Sequence, residues 1–237
     1  MSVKDKYIIK SIDKHLCKEW FLKKHYAKRM PLISYVFGLF NKDRLVGVCS
    51  FGLASPKMNK GKSIFKNYEV KVLELNRLVV NDNLDKNSLS YFVSNCLKKI
   101  PINPLCVVSF ADCNVGHTGY IYQATNWIYT GKTTKGGKMK YYFLNNKEYH
   151  SLTITEKWFS VRGLKYDTSK TLTENWEIIG GYVKEFDTKH RYLYFIGNKK
   201  DIKQMYNTLK LKKINYPKNE NKRYNANYCP LIQTELF

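Results

Sequence analysis

Two apolar runs separated by one amphipathic segment constrain the fold most. VKVLELNRLVV covers residues 70–80 and LCVVSFAD ends at Asp112, and the apolar density of both runs is typical of strands buried on two faces. Residues 86–100 between them show helical periodicity and are followed by Pro101. A strand, a helix and a strand in this order predict a parallel pair with a crossover helix, and therefore a mixed α/β sheet.

The flanking segments extend this pattern. Residues 11–29 predict a first helix that ends near His25 and Tyr26, and SYVFGLF with RLVGVCSFG predicts a hairpin. Further along, we predict a short helix over 116–127, a strand pair formed by IYTG and MKYYFL, a strand at HRYLYFIG, and a helix over 200–211. This is the element order of acetyltransferase-like (GNAT) folds, in which a mostly antiparallel sheet contains a splayed parallel central pair. We predict a catalytic core over 1–150 and a C-terminal extension over 151–237 that packs on it.

The net charge of +22 favours a polyanionic partner such as DNA, RNA or an anionic membrane surface. Only six of the 41 basic residues are arginine and asparagine is abundant, so an AT-rich genome is an alternative source of the bias. The charge is spread along the chain, which argues against a detachable basic arm. The predicted DNA contacts are Lys57, Lys60, Lys62, Lys66, Lys132, Lys135, Arg191 and, as a stacking aromatic, Trp127. The alternative for each lysine cluster is a solvated loop.

Targeting and cysteine patterns limit the location. The longest mostly apolar stretch, residues 32–40, is far shorter than the roughly 20 residues that span a bilayer, and the first residues do not resemble a secretory leader. The six cysteines include no CxxC pair and no zinc-like spacing with histidine. We therefore expect a cytoplasmic protein with reduced, mostly buried cysteines and no membrane partner.

Five motifs resemble one family. HYAKRMP, SYVFGLF…LVGVCSFG, LELNRLVV, SFAD…GHTGYIYQATNW and KHRYLYF…YPK occur in order between His25 and Tyr224. Together they resemble the Mom family of bacteriophage DNA adenine-modification proteins. The resemblance implies a GNAT-like enzyme that converts adenine in phage DNA to an N6-methylcarbamoyl form and so protects the DNA from restriction endonucleases.

Asp112 and Tyr122 are the first catalytic candidates. The N6 amine of adenine is a poor nucleophile, so an enzyme must supply a base, an electrophilic clamp, or both. Asp112 follows a buried strand, where side chains project into the cleft of an open sheet. Its alternative is a helix N-cap. Tyr122 lies where GNAT-like folds place a tyrosine that protonates the leaving group, and its alternative is an ordinary core aromatic.

Arg77, His25 and Tyr26 are further candidates. A charge inside the apolar run 70–80 is costly unless it is paired, so Arg77 is either a clamp for the donor or for phosphate, or the partner of a buried acid such as Glu74. Tyr26 and His25 would lie at the end of the first helix in the active site, with a simple cationic helix end as the alternative for His25. His25, Tyr26 and Asp112 together form a ligand set suited to iron, which the family resemblance permits.

The sequence leaves two donors of the transferred group open. GNAT-like enzymes hold the coenzyme A pyrophosphate in a glycine-rich loop before a helix, but this chain has NDNLDKNSLS there, without glycine. Ser88, Ser90 and Asn126 remain as donor-binding candidates. A glycyl group is an isomer of a methylcarbamoyl group, so the donor is either an acyl-CoA or a charged glycyl-tRNA.

Two rival functions use the same residues. One is a GNAT-type N-acyltransferase that acts on a protein, a tRNA or a small amine. The other is a basic DNA-binding protein without enzymatic activity. The main prediction is a transferase on double-stranded DNA, which would take the target base out of the helix before reaction.

Overall fold

The computed structural model describes residues 2–134, 138–149, 151–218, 220, 222 and 228–231. The helices are α1 (Val3–Lys6), α2 (Ser88–Lys99), α3 (Tyr120–Ala124), α4 (Glu156–Ser160), α5 (Leu172–Ile178) and α6 (Lys199–Thr208). The strands are β1 (Tyr7–Ser11), β2 (Tyr35–Asn41), β3 (Arg44–Leu53), β4 (Lys71–Val80), β5 (Leu105–Asp112), β6 (Ile128–Lys132), β7 (Lys138–Leu144), β8 (Lys147–Tyr149), β9 (Tyr182–Asp187) and β10 (Lys189–Ile196).

A seven-stranded sheet forms the larger part of the fold, in the order β1-β2-β3-β4-β5-β10-β6. The pairs from β1 to β4 are antiparallel, and β4 pairs with β5 in parallel through the crossover helix α2. The predicted mixed sheet with a parallel central pair is therefore confirmed. The apolar residues that predicted burial fill its core, since Val72, Leu73 and Val107 are fully buried.

The first predicted helix is wrong in type. Residues 11–29 contain a 3-10 turn, Lys14–Cys17, followed by a π-helical turn, Trp20–Lys24, which ends at His25. Trp20 and Phe21 are buried against Val36 and Val48, so the apolar stripe packs on the sheet as expected. The segment ends at His25, as predicted, and π turns are frequent at functional sites.

The predicted pairing of IYTG with MKYYFL is also wrong. The first forms β6, which lies beside β10 at the edge of the large sheet, whereas the second forms β7 between β8 and β9 in a separate three-stranded sheet. The local pattern identified both strands, but β6 pairs with β10, far along the chain, while β7 pairs with β8, which follows it directly, and with β9.

The chain divides into two compact units. The first contains residues 1–111, 115–131 and 190–237, and the second contains 112–114 and 132–189. Strand β10 and helix α6, from the segment predicted as an extension, belong to the first unit. Four of the six cysteines are buried as free thiols, and no helix of the described residues is long and apolar enough to cross a membrane.

Candidate active site

The parallel pair β4–β5 opens halfway along its length. Hydrogen-bonded register runs from Lys71 with Leu105 to Glu74 with Val108 and stops there, although both strands continue. On the other side of β4, Phe51 faces Leu75 and Ser50 faces Arg77, so one residue of β4 bulges out. A bulge bends its strand and re-aims the following side chains.

Ser109 and Tyr122 occupy the start of this opening. The Ser109 hydroxyl donates to the Leu75 carbonyl at 2.8 Å, just beyond the end of the β4–β5 register. The same hydroxyl lies 2.7 Å from the Tyr122 hydroxyl. It is also placed to donate to the Tyr122 hydroxyl, so it links the strand carbonyl with the phenol. Burial raises the pKa of Tyr122 far above its ordinary value. Tyr122 is therefore a neutral phenol that Ser109 holds in place.

Arg77 follows the bulge and is half-buried. Its guanidinium donates to the carbonyl oxygens of Asn76 at 2.6 Å and Arg29 at 3.3 Å. Burial lowers its pKa from the ordinary arginine value, and the positive charge of Arg29 lowers it further, although arginine stays charged in proteins. Among the described residues its buried Nε has no hydrogen-bond partner. A cation with a buried, unsatisfied donor is suited to an oxyanion or phosphate.

His25, Tyr26 and His117 form a ring cluster. The His25 ring stacks on Tyr26 at 4.3 Å between centroids, and the His117 ring meets Tyr26 edge-on at 5.4 Å. His25 Nδ1 accepts from the Ala27 amide at 3.0 Å, so a neutral His25 carries its proton on Nε2. Tyr26 also acts electrostatically on Arg77 and Tyr122. We call Tyr26, His25, Arg77, His117 and Tyr122 the Tyr26 cluster.

The loop 28–34 holds this cluster against β3 and β4. The Asn76 side chain donates to the Leu32 carbonyl at 2.8 Å and accepts from Ser50 at 2.6 Å, while the Ser34 amide donates to the Phe51 carbonyl at 2.7 Å. A Cβ added at Gly52 would lie 2.0 Å from the Leu32 oxygen, so only glycine allows this approach. The bulged residue thus ties the loop to the strand that carries Arg77.

Tyr192 on β10 fixes the segment that carries His117. Its hydroxyl donates to the Thr118 carbonyl at 2.5 Å, and its ring lies 2.4 Å from where a Gly119 Cβ would be. Gly119 has a φ of +81°, a conformation that favours glycine. His117 was missing from the sequence prediction. The glycines before and after it in GHTGY were the available signal, because they mark a specialised turn.

Asp112 belongs to the second compact unit. Its Oδ1 accepts from the Asn114 amide and side chain, each at 3.0 Å, and its Oδ2 lies 3.4 Å from Lys189 Nζ. Asn114 also exchanges two hydrogen bonds with the Asp187 backbone, each at 2.9 Å. These contacts are typical of a residue that caps the N-terminus of a helix, which was the alternative to catalysis. The catalytic role of Asp112 stays a prediction.

Comparison with known proteins identifies the family. A profile of the Mom protein family matches residues 6–218, which is most of the chain. The chain belongs to this family. It is similar to the methylcarbamoylase Mom of Escherichia phage Mu, with 30% identity over 200 residues, 82% of this chain and 77% of the relative.

Two solved structures were also found. A Bacillus subtilis acetyltransferase in complex with CoA has a TM-score of 0.38 and 11% identity, covering 81% of this chain and 99% of the other. An agmatine N-acetyltransferase variant has a TM-score of 0.41 and 10% identity, covering 80% and 100%.

In this Mom family member the predicted donor-binding residues satisfy local backbone groups. The Ser88 and Ser90 hydroxyls donate to the carbonyls of Asp85 and Asn87 at 2.7 and 3.0 Å. Asn126 ends helix α3 with a φ of +60°, the left-handed position in which asparagine commonly terminates helices. Donor binding by these three residues stays a prediction.

The loop after β4 is held by ion pairs. Asp85 lies 2.6 Å from Lys6 and accepts from Tyr7 at 2.7 Å, and Asp82 lies 3.1 Å from Lys24. A cavity of about 500 Å³ adjoins this loop, and among the described residues the buried Asn81 Oδ1 in its lining has no hydrogen-bond partner.

The predicted DNA contacts divide into exposed and buried groups. Trp127 is fully buried between Tyr122 and Tyr194, so its placement at a DNA surface is wrong: an aromatic after a short helix packs into the core as readily as it faces solvent. Arg191 donates to Thr130 at 2.8 and 3.2 Å, and burial lowers its pKa, so its guanidinium serves the fold. The lysines that the structure exposes are Lys57, Lys60, Lys62, Lys66 and Lys132, while Lys135 lies outside the described residues.

The predicted iron ligands do not fit a metal. Among the described residues no group of three or more His, Cys, Asp or Glu side chains is arranged to hold an ion. His25 Nδ1 is used by Ala27, and both Asp112 oxygens are used by Asn114 and Lys189. We therefore derive no step through a metal.

Proposed function

We propose that this protein is a phage DNA-modification transferase that acts on the N6 amine of adenine in double-stranded DNA and forms N6-methylcarbamoyl-adenine. Membership of the Mom family and similarity to the phage Mu methylcarbamoylase support the class of reaction. The single observation that carries the proposal is Arg77, a half-buried cation beside the opened strand pair whose buried Nε is unsatisfied among the described residues.

Arg77 stabilises the charge that develops during transfer. Attack of N6 on the carbonyl carbon of the donor forms the new N–C bond and places negative charge on the carbonyl oxygen. A preorganised cation in a site with little water stabilises this charge strongly. The oxyanion then expels the leaving group, which departs with the electrons of the broken bond, and the N6 proton passes to a base. The sequence predicts Asp112 for this last role, and its carboxylate is bonded to Asn114 and Lys189, so the assignment stays a prediction.

The other members of the Tyr26 cluster position the reacting groups. The Ala27 amide donates to His25 Nδ1 and fixes the imidazole ring, which stacks on Tyr26. The Tyr122 hydroxyl is bonded to Ser109, which supports a positioning role for Tyr122 over protonation of the leaving group. The Tyr26 ring contacts both His25 and His117 and supplies an aromatic surface.

We propose an activated glycine as the source of the group. The loop where GNAT enzymes hold a diphosphate contains no glycine in this chain, and its Asp82 and Asp85 already pair with lysines, so the usual grip on acyl-CoA is missing. A glycyl group transferred to N6 has the same atoms as the methylcarbamoyl group and reaches it by rearrangement. Isotope-labelled glycine fed to expressing cells should label the group added to N6, which fragmentation separates from the purine ring; label that never reaches the added group excludes this donor.

The function is tested by mass spectrometry of nucleosides from plasmid DNA after co-expression. Wild-type protein should produce a modified deoxyadenosine. Arg77→Gln should reduce it by roughly 100- to 1,000-fold, the usual cost of losing one charge-stabilising donor. Arg44→Gln, at the exposed start of β3, is the matched control and should retain activity. An unmodified adenine pool with soluble wild-type protein, together with acetyl-CoA binding, would favour an N-acyltransferase for another acceptor.

A further inference from the structure

One face of the three-stranded sheet is built from aromatic side chains. β7 and β9 are antiparallel neighbours in which Met139 faces Phe186, Tyr141 faces Lys184 and Phe143 faces Tyr182. Side chains alternate along a strand, so every second residue of each strand lies on the same face. The aromatic face therefore comprises Met139, Tyr141, Phe143, Tyr182, Lys184 and Phe186.

The opposite face of the same sheet is the core of the second unit. Tyr142 pairs with Val183, is 5% exposed and packs against the fully buried Trp176. Leu144 and Val183 pack against the same cluster, which also contains Phe159. Since the core uses this side, the aromatic face is an additional apolar surface that folding of the unit does not require.

The rings of the aromatic face are arranged as a platform. Phe143 and Tyr182 are nearly parallel, with 5.2 Å between centroids and an interplanar angle of 8°, and Tyr141 meets Phe186 edge-on at 5.1 Å. Tyr182 is 43% exposed. The exposed Lys184 places its Nζ 5.5 Å from the Phe143 ring and 5.4 Å from the Tyr182 ring. Flat apolar surface and positive charge thus occur at the same point.

We propose that the aromatic face binds unpaired deoxynucleotides of the DNA substrate. Aromatic side chains bind single strands by stacking on their bases, and a lysine beside the rings complements the phosphates. The inference rests on the proposed function, because chemistry at adenine N6 takes the base out of the duplex and leaves bases that need a stacking partner. The occupant is single-stranded DNA rather than RNA, since DNA is the proposed substrate.

Fluorescence anisotropy with a short labelled single-stranded DNA tests the proposal. The double variant Phe143→Leu/Tyr182→Leu keeps apolar volume but removes the π surface. It should weaken binding on the order of tenfold or more for each base that stacks. Tyr206→Leu on α6 is the matched control, since this tyrosine is 49% exposed in the first unit, and it should bind like wild type.

Lys184→Gln separates the charge from the rings. It should lower single-strand affinity several-fold at low salt and reduce the salt slope by about one phosphate contact. Equal affinity of the wild type and the double variant would overturn the proposal, and so would tighter binding of an RNA of the same sequence. If the double variant does not fold, the single variants Tyr182→Leu and Lys184→Gln test the proposal, because both side chains are exposed and their loss should leave the fold intact. Modified deoxyadenosine with unchanged single-strand binding would refute the aromatic face and leave the proposed function intact.

Discussion

The Tyr26 cluster and the aromatic face use similar residue types in opposite ways. In the first unit Tyr122 is buried and Arg77 half-buried, and each is fixed by hydrogen bonds to groups of the opened strand pair. In the second unit Phe143 and the exposed Tyr182 stack on each other beside a lysine. Fixed polar groups suit charge stabilisation, whereas rings on a sheet face suit a substrate of variable sequence. Aromatic residues therefore contribute to two proposed functions, charge stabilisation in one unit and substrate binding in the other.

After Arg77→Gln, the largest effect should follow removal of the Tyr26 ring. Tyr26→Ala removes the surface between His25 and His117 and frees both imidazoles to move. We expect DNA modification to fall about 100-fold, as misplacement by about 1 Å does in other active sites. Tyr206→Ala is the control, and both are measured as the modified fraction of deoxyadenosine. Near wild-type activity of Tyr26→Ala would place the chemistry outside this cluster.

Two glycine variants separate an effect on stability from an effect on activity. Gly52→Ala forces its Cβ against the Leu32 oxygen at the loop that supports Arg77, so stability should fall by about 1–3 kcal/mol and activity at least tenfold. Gly163→Ala meets nothing within 4 Å but has a φ of +67°, so it should cost about 1–2 kcal/mol and leave activity unchanged. Thermal unfolding and nucleoside analysis measure both. Equal activity losses would remove the special role of the loop.

The variants Ser109→Ala and Tyr122→Phe should lower the free energy of unfolding by different amounts. Ser109→Ala leaves the Leu75 carbonyl and the Tyr122 hydroxyl unsatisfied in the core, which should cost about 1–3 kcal/mol. Tyr122→Phe leaves Ser109 bonded to Leu75 and should cost about 0.5–1.5 kcal/mol. The free energy of unfolding of each variant, measured with a denaturant, gives their order. If the phenol only positions, Tyr122→Phe keeps activity within about tenfold; complete loss would restore the predicted proton donor.

The smallest effect concerns the loop after β4. Hydrogen bonds from Lys6 and Tyr7 lower the pKa of Asp85 below its ordinary value. The folded state therefore gains stability above the unfolded pKa of about 3.9, and this gain is lost as pH falls through the lower folded pKa. Asp85→Asn should flatten the acid limb of a plot of Tm against pH. Identical acid limbs would show that the ion pairs do not stabilise the loop.

The sequence predicted what local patterns determine. Apolar runs located β4, β5 and their parallel pairing, and a charge inside an apolar strand singled out Arg77. Long-range partners were beyond this reasoning, because β6 pairs with β10 and Tyr26 meets His117 only after folding. Trp127 was misplaced because aromatic type does not distinguish core from surface. The alternation of Met139, Tyr141 and Phe143 was visible, but the facing strand was not.

Tandem mass spectrometry of deoxyadenosine from co-expressed plasmid DNA tests the central claim most directly. Wild-type protein should yield a fragment in which the added group is attached to N6 of the base, and Arg77→Gln should lose that fragment while Arg44→Gln retains it. Unmodified deoxyadenosine in cells that contain soluble wild-type protein, or equal modification by Arg77→Gln, would contradict the account.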